Sequence, residues 1–364
     1  MKLFTPGPVT LPNEVLKAMT KPIISHRSSA FKKLYEEIEL KLIKLLDTKN
    51  GMIAILAGTG TTAVDAMAWS LTKRGEKVLV PIAGEFGKRL AETLQRRGAD
   101  VVKLIVNPRK GNEFTKVAEY IERRDVNAIA LVHNETSTGL TYRDLETLAK
   151  YCRKYDIKLL VDAVSSFCGE ELSLRWGLTA IAIASHKALA APPGVCFVVL
   201  NEEAIETLKR YELNDVPLLL DLRKYVEFNA RKETPYTPTL SVLYAVNATL
   251  ARVLKIGISR FIEMHRERAS LLYKEIPKLG LEPYVVEERY RSNTVATFLT
   301  DVSAAKIKNE LEKRGFMIAT GMGELKERMI RVGTMGDLSL DDVRRLINTL
   351  NEVMTQLNNQ QSKH

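Results

Sequence analysis

Seven short apolar runs, at residues 52–56, 78–82, 101–106, 128–132, 159–161, 180–184 and 195–200, punctuate the first two-thirds of the chain. Amphipathic stretches at residues 62–74, 88–97, 115–123 and 144–155 lie between most of them. This alternation constrains the fold more than any other feature. A strand that is apolar on both faces must be covered on both, and helices between successive strands supply the cover. The pattern predicts an α/β fold whose core is a mostly parallel, seven-stranded sheet covered by helices. Basic residues followed by glycine close several stretches, as in Lys73-Arg74-Gly75 and Arg96-Arg97-Gly98, which is helix C-terminal chemistry. Ligands of such sheets collect at the carboxyl ends of the strands, so the loops after the apolar runs are where chemistry is expected.

The pattern changes after the loop Thr234-Pro235-Tyr236-Thr237-Pro238-Thr239. An all-helical stretch from Ser241 to about Leu272 is followed by strand, helix, strand, strand and helix at residues 295–299, 303–314, 317–319, 329–332 and 340–357. These predict a smaller C-terminal α+β domain. The expected division is an N-terminal arm at 1–14, a large domain at 15–257 and a small domain at 258–364, with the polar tail from 358 fraying. A length of 364 residues suits two domains. No apolar stretch is long enough to span a bilayer, and Pro6, Gly7 and Pro8 interrupt any signal-peptide core. Cys152, Cys168 and Cys196 have neither metal-site nor disulfide-framework spacing, so no metal is expected and a reducing cytoplasm is. The net charge of +10 comes from basic residues mixed with glutamates along helices. That is a solvated surface with local ion pairs, so neither a nucleic-acid nor a membrane partner is expected.

Lys187 follows Ala180-Ile181-Ala182-Ile183-Ala184 and precedes Pro192-Pro193-Gly194. A buried strand thus delivers one cation among small side chains. Burial disfavours the charged amine and lowers its pKa, leaving a nucleophile for carbonyls. The plainer alternative is a strand-end lysine that snorkels to water. Asp162 ends the apolar run just before, so the two tips can face one pocket. A carboxylate there is costly without a cation. An acid and a buried lysine in this order meet the needs of pyridoxal phosphate: an amine to carry it and an acid to keep its pyridine nitrogen protonated. A structural ion pair would use the same two residues.

The loop Ala57-Gly58-Thr59-Gly60-Thr61-Thr62-Ala63 joins a strand to a helix, where small residues let N–H groups and hydroxyls surround a phosphate. Gly58, Gly60 and Ala63 also fit the G-x-G-x-x-A fingerprint of a nicotinamide oxidoreductase. That alternative needs an acid near the end of the next strand, and Val78-Leu79-Val80-Pro81-Ile82-Ala83 has none. Gly84-Glu85-Phe86-Gly87 reads as a loop whose aromatic either lies flat over a planar ring or simply packs. The segment from His133 to Gly139 is dense in hydrogen-bonding groups at a strand's carboxyl end. Arg331, inside an apolar strand, points either to a substrate carboxylate or to a buried ion pair with a core acid.

Taken in order, Thr5-Pro6-Gly7-Pro8, Ser25-His26-Arg27-Ser28, the Gly58-Thr59-Gly60 loop, Gly84-Glu85-Phe86-Gly87, Glu135-Thr136-Ser137-Thr138-Gly139, Val161-Asp162-Ala163-Val164-Ser165, Ser185-His186-Lys187, Pro192-Pro193-Gly194 and Arg331-Val332-Gly333-Thr334-Met335-Gly336 resemble a known family. It is the class V (fold type I) pyridoxal-phosphate aminotransferases, most closely the serine–pyruvate/alanine–glyoxylate group, and the resemblance covers nearly the whole chain. It implies pyridoxal 5'-phosphate as cofactor and Lys187 as the Schiff-base and proton-transfer lysine. Asp162 would pair with the pyridine nitrogen, Phe86 would stack on the ring and Thr136 would contact its hydroxyl side, with Ser165 among the cofactor contacts. Thr59, Gly60, Thr61 and His186 would surround the phosphate. Tyr236 and Thr237 fall where the family supplies phosphate contacts from the neighbouring subunit, which implies a homodimer with shared active sites. Arg331 would bind the substrate's α-carboxylate, with Gly7 and Pro8 closing over it.

The activity implied is ping-pong transamination. It would move the amino group of a small L-amino acid, serine or alanine favoured, to a 2-oxo acid such as pyruvate or glyoxylate. His186 stands where many members carry glutamine, Thr61 where some carry histidine and Phe86 where some carry tryptophan. A lyase or desulfurase on the same scaffold is the alternative. Desulfurases need a mobile cysteine from the C-terminal region, and no cysteine follows Cys196.

Overall fold

The apolar runs become one seven-stranded sheet. In chain order its strands are β1 (Met52–Gly58), β2 (Lys77–Ile82), β3 (Asp100–Ile105), β4 (Ala128–Val132), β5 (Lys158–Asp162), β6 (Ala180–Ala184) and β7 (Gly194–Leu200). They lie side by side in the order β1-β7-β6-β5-β4-β2-β3. All neighbours are parallel except β7, which runs antiparallel to both β1 and β6. The carboxyl ends of the other six therefore share one edge. This computed structural model describes residues 1–48, 50–111, 114–211 and 214–361. The tail expected to fray from 358 instead continues the last helix, Leu340–Gln361, as far as residue 361, and its remainder lies outside the described residues.

Helices α1 (Ser29–Leu45), α2 (Gly60–Leu71), α3 (Glu85–Arg97), α4 (Phe114–Glu122) and α5 (Leu145–Lys154) cover the sheet. The strand leading to Lys187 shows why each face is packed as it is. Ala180 and Ala182 point into one cluster with Ala63, Ala66 and Met67 of α2. Ile181 and Ile183 point the other way, into a cluster with Phe31 and Ile38 of α1. Alternate side chains of a strand face opposite sides, so the small residues bring α2 close while the large ones fill the opposite layer. Each buried isoleucine contributes roughly 1.5–3 kcal/mol.

The expected helical stretch after Ser241 is two helices, α6 (Leu240–Ile256) and α7 (Ile258–Glu275), bent by 90° at Gly257. Gly257 has a φ of 88°, which only glycine adopts without strain. Beyond it stands a four-stranded antiparallel sheet of β8 (Glu282–Pro283), β9 (Val295–Leu299), β10 (Ala319–Thr320) and β11 (Met329–Gly333), in the order β8-β9-β11-β10. The single strand expected at 317–319 is divided. Phe316–Met317 pairs with Lys2–Leu3 at the N-terminus, and Ala319–Thr320 pairs with β11. Among the described residues no single helix is long and apolar enough to cross a membrane.

Candidate active site

Lys187 and Asp162 stand at the tips of neighbouring parallel strands, β6 and β5. The lysine turn is pinned by backbone bonds from Ser185 N to Val195 O and from Ala191 N to Ser185 O. The two residues line one cavity of about 140 Å³ together with Thr59, Gly60, Thr61, Phe86 and His186. A larger surface cleft of about 620 Å³ around Arg143, Arg266 and Arg291 contains no comparable lysine–acid pair. Gly60 opens α2 beneath the cavity, and a Cβ on it would lie 2.5 Å from Val164. Only glycine lets the helix N-terminus approach the Asp162 loop so closely. The first-turn N–H groups of α2 have no intrahelical acceptors.

Asp162 and Lys187 do not form the structural ion pair. Asp162 accepts a hydrogen bond from Val164 N at 2.9 Å, and Lys187 Nζ donates to Pro6 O at 2.6 Å. Burial chiefly pushes the Asp162 carboxyl up to about 6; the Val164 N–H bond opposes this most, Glu135 adds to the rise, and Lys187 and Arg89 oppose it less. Burial, then the charge of Arg331, lowers Lys187 to about 8. Burial and Lys187 together lower His186 to about 4, so its imidazole is neutral. Its Nδ1 is buried with no hydrogen-bond partner among the described residues.

Arg331 sits on β11 opposite Thr297 and Ala319. Its guanidinium meets carbonyls rather than a core acid: Nε donates to Thr320 O at 2.7 Å and Nη1 to Thr136 O at 3.2 Å. Burial lowers its pKa to about 10, and Glu135 opposes the shift. Thr136 and Ser165 form a buried wall, with the Thr136 hydroxyl donating to Ser165 Oγ at 2.8 Å and Ser165 donating to Asn134 O at 2.9 Å. The arm closes against the lysine, since a Cβ on Gly7 would lie 2.6 Å from Lys187 Cδ. Pro8 follows it and accepts from the Thr5 hydroxyl at 2.7 Å.

Tyr236 and Thr237 are not brought to this cavity within the protomer. Tyr236 donates to Leu218 O at 2.9 Å, and Thr237 is exposed. Phe86 lies on the first turn of α3, not in the loop read from Gly84 to Gly87, because that helix begins at Glu85. Asp65, Arg89 and Thr93 also line the cavity and were not foreseen. Asp65 accepts from Thr93 at 3.1 Å, and the Arg89 guanidinium lies 5.0 Å from the centre of the Phe86 ring. Their signal was spacing: Asp65 is four residues after Thr61, and Arg89 three after Phe86, on shared helix faces.

A parallel sheet that sets a buried lysine of lowered pKa beside an acid, at the N-terminus of a glycine-opened helix, defines a class of enzyme. The family model for class-V aminotransferases matches residues 3–346; the chain belongs to that family, whose members depend on pyridoxal phosphate. An uncharacterised aminotransferase of Methanocaldococcus jannaschii is 33% identical over 92% of this chain and 87% of its own length. The crystal structure of an alanine–glyoxylate aminotransferase from Nostoc sp. superposes with a TM-score of 0.92 at 29% identity, covering 97% of this chain and 94% of that one. An aspartate aminotransferase of subgroup IV from Thermus thermophilus gives 0.89 at 30% identity, covering 98% and 100%.

Proposed function

We propose that this protein transfers the amino group of a small L-amino acid, serine or alanine favoured, to a 2-oxo acid such as pyruvate or glyoxylate. The mechanism is ping-pong, with pyridoxal phosphate carried by Lys187. The convergence of Lys187, Asp162, Phe86 and the α2 N-terminus on one cavity carries this reading. The residues present fit the cofactor. The unpartnered His186 Nδ1 and the N-terminus of α2 suit a phosphate, joined by the Thr61 hydroxyl and by Thr59, whose side chain meets the Thr62 N–H in a capping box.

When bound, the cofactor supplies an electron sink for charge that develops at the substrate's Cα. The chain's own groups do the rest. Asp162 would hold a proton at the pyridine nitrogen, Phe86 would cover the ring, and Thr136 with Ser165 would bound its hydroxyl side. Lys187 Nζ takes the proton from Cα, a task suited to an amine whose pKa lies near 8. Arg331 grips the α-carboxylate with the donors its two carbonyl anchors leave over, and Gly7 and Pro8 exclude water above it.

In a homodimer Tyr236 and Thr237 would hold the phosphate bound by the partner, so each site would be shared. The chain divides into an arm at 1–14, a large domain at 15–257 and a small domain at 258–364, and the compartment is the cytoplasm. A half-reaction screen tests the reading: purified protein loaded with pyridoxal phosphate is mixed with single amino acids, aspartate included, and its absorbance is followed. Serine or alanine is expected to convert the cofactor fastest. Conversion by aspartate alone would overturn the substrate assignment, and intersecting rather than parallel double-reciprocal lines would overturn the ping-pong scheme.

A further inference from the structure

Glu135 is a buried anion of the site that the chemistry above leaves unused. It is 1% exposed and forms no ion pair among the described residues. Donors from two segments surround its carboxylate instead. Oε2 accepts from Gly87 N at 2.9 Å. Oε1 accepts from Phe86 N at 3.3 Å and Ser137 N at 3.2 Å, and from the Ser137 hydroxyl. Ser137 Oγ in turn accepts from Glu85 N at 3.0 Å.

The first three N–H groups of α3, which a helix cannot satisfy internally, thus all end on Glu135 or Ser137. A carboxylate here also faces the positive end of the helix dipole, which, together with the nearby Arg331 guanidinium, offsets the burial of its charge. Gly84 makes the approach possible, since a Cβ on it would lie 2.3 Å from Ser137 Oγ and 2.7 Å from Glu135 Cδ. Two of the three clamped amides belong to Phe86 and its successor. The ring of Phe86 lines the cavity between the β5 and β6 tips and the α2 N-terminus.

We propose that Glu135 is a positioning residue: its carboxylate fixes the first turn of α3 and thereby sets Phe86 over the cavity in the orientation that receives the cofactor's ring. The inference rests on Phe86 being the ring contact. A carboxylate that merely capped a helix would support folding without acting through that one aromatic.

The test is a double-mutant cycle read as the Kd of pyridoxamine phosphate, which binds reversibly, on the full-length protein freed of cofactor. Glu135→Gln keeps the size of the side chain, removes the charge and leaves one of the amides without an acceptor. It is expected to weaken binding about tenfold, the order for one charge-assisted hydrogen bond. Phe86→Ala is expected to weaken it by at least as much, and the double variant should be no more than about twofold weaker than Phe86→Ala alone. Should Glu135→Gln not fold, Ser137→Ala enters the same cycle, because it removes only the hydroxyl that bridges Glu85 N and the carboxylate. Wild-type affinity in Glu135→Gln, or losses that multiply in the double variant, would overturn the inference. Absence of binding by the wild-type protein would overturn the cofactor reading itself, and that is measured before any substitution is made.

Discussion

Arg331→Lys keeps the positive charge of the site and removes its fork. In the folded protein two edges of the guanidinium are already committed, Nε to Thr320 O at 2.7 Å and Nη1 to Thr136 O at 3.2 Å. The pairing of β11 with β9 and β10 fixes the position of its Cα. What remains of the fork is aimed by these anchors and can meet a planar carboxylate side-on. A lysine offers three donors on a flexible stem and cannot hold both anchors while doing so. Losing one charge-assisted hydrogen bond costs about 1.5–3 kcal/mol, and about 1.4 kcal/mol is a factor of ten. The KM of the amino donor should therefore rise roughly 10- to 150-fold.

In a ping-pong enzyme the oxo acid presents its own α-carboxylate to the same residue, so its KM should rise in parallel while cofactor affinity stays within about twofold. Initial-rate measurements with both substrates varied, alongside cofactor binding to the same preparation, separate these quantities. A KM that is unchanged for both substrates, or that rises for only one, would refute the reasoning. So would a loss of cofactor affinity comparable with the loss in KM.

Asp162 and Lys187 give two further expectations. Asp162 is 8% exposed and its carboxyl is raised to about 6. The folded state therefore holds this proton more tightly than the unfolded state, and the group costs stability above pH 6, a cost that fades as pH falls through that value toward the ordinary aspartate range. Asp162→Asn should stabilise the cofactor-free protein at neutral pH by up to roughly 3 kcal/mol while abolishing transamination; denaturant unfolding that shows a loss of stability would contradict this. For Lys187, with a pKa near 8 rather than 10.5, capture of pyridoxal phosphate by the cofactor-free protein should reach half its maximal rate near pH 8. Arg331→Met should move that midpoint upward by removing the charge that, after burial, most lowers it. A wild-type midpoint at the ordinary lysine value would sink the claim.

The sheet was legible because its signal is local. Ala180 to Ala184 and Ala128 to Val132 are apolar on both faces, and the strands occupy those residues. What escaped depends on distant partners. Glu85, Phe86 and Gly87 form the first turn of α3 because acceptors from Glu135 and Ser137, about fifty residues on, satisfy their amides. No periodicity within the helix announces that, so the segment read as a loop. Arg331 was visible as an oddity in an apolar strand, but its partners are main-chain carbonyls, which have no side-chain signature in a sequence. Asp65 and Arg89 look like ordinary polar helix residues until the helices carrying them converge. Gly257 hid a right-angle turn inside a stretch whose composition is helical throughout.

The two groups at the centre of the site also explain why an ion pair, the economical use of a buried lysine and aspartate, is absent. Paired, each would stabilise the charged form of the other: Lys187 would be a poor nucleophile, and Asp162 would be already neutralised. Held apart, each answers mainly to the dry cavity, which moves them in opposite directions, Lys187 down to about 8 and Asp162 up to about 6. Both pKa values thereby lie close to physiological pH, where each group is still mostly charged but a small change in surroundings alters its protonation. The separation is built into the backbone, because Pro6 O from the N-terminal arm engages the lysine and Val164 N engages the acid. Each of these contacts is a single hydrogen bond that a ligand entering between the two strand tips can replace. The arrangement therefore stores no strong interaction that binding would have to break, and a ring positioned between an amine and a carboxyl would meet both groups already oriented and with pKa values drawn toward neutral pH.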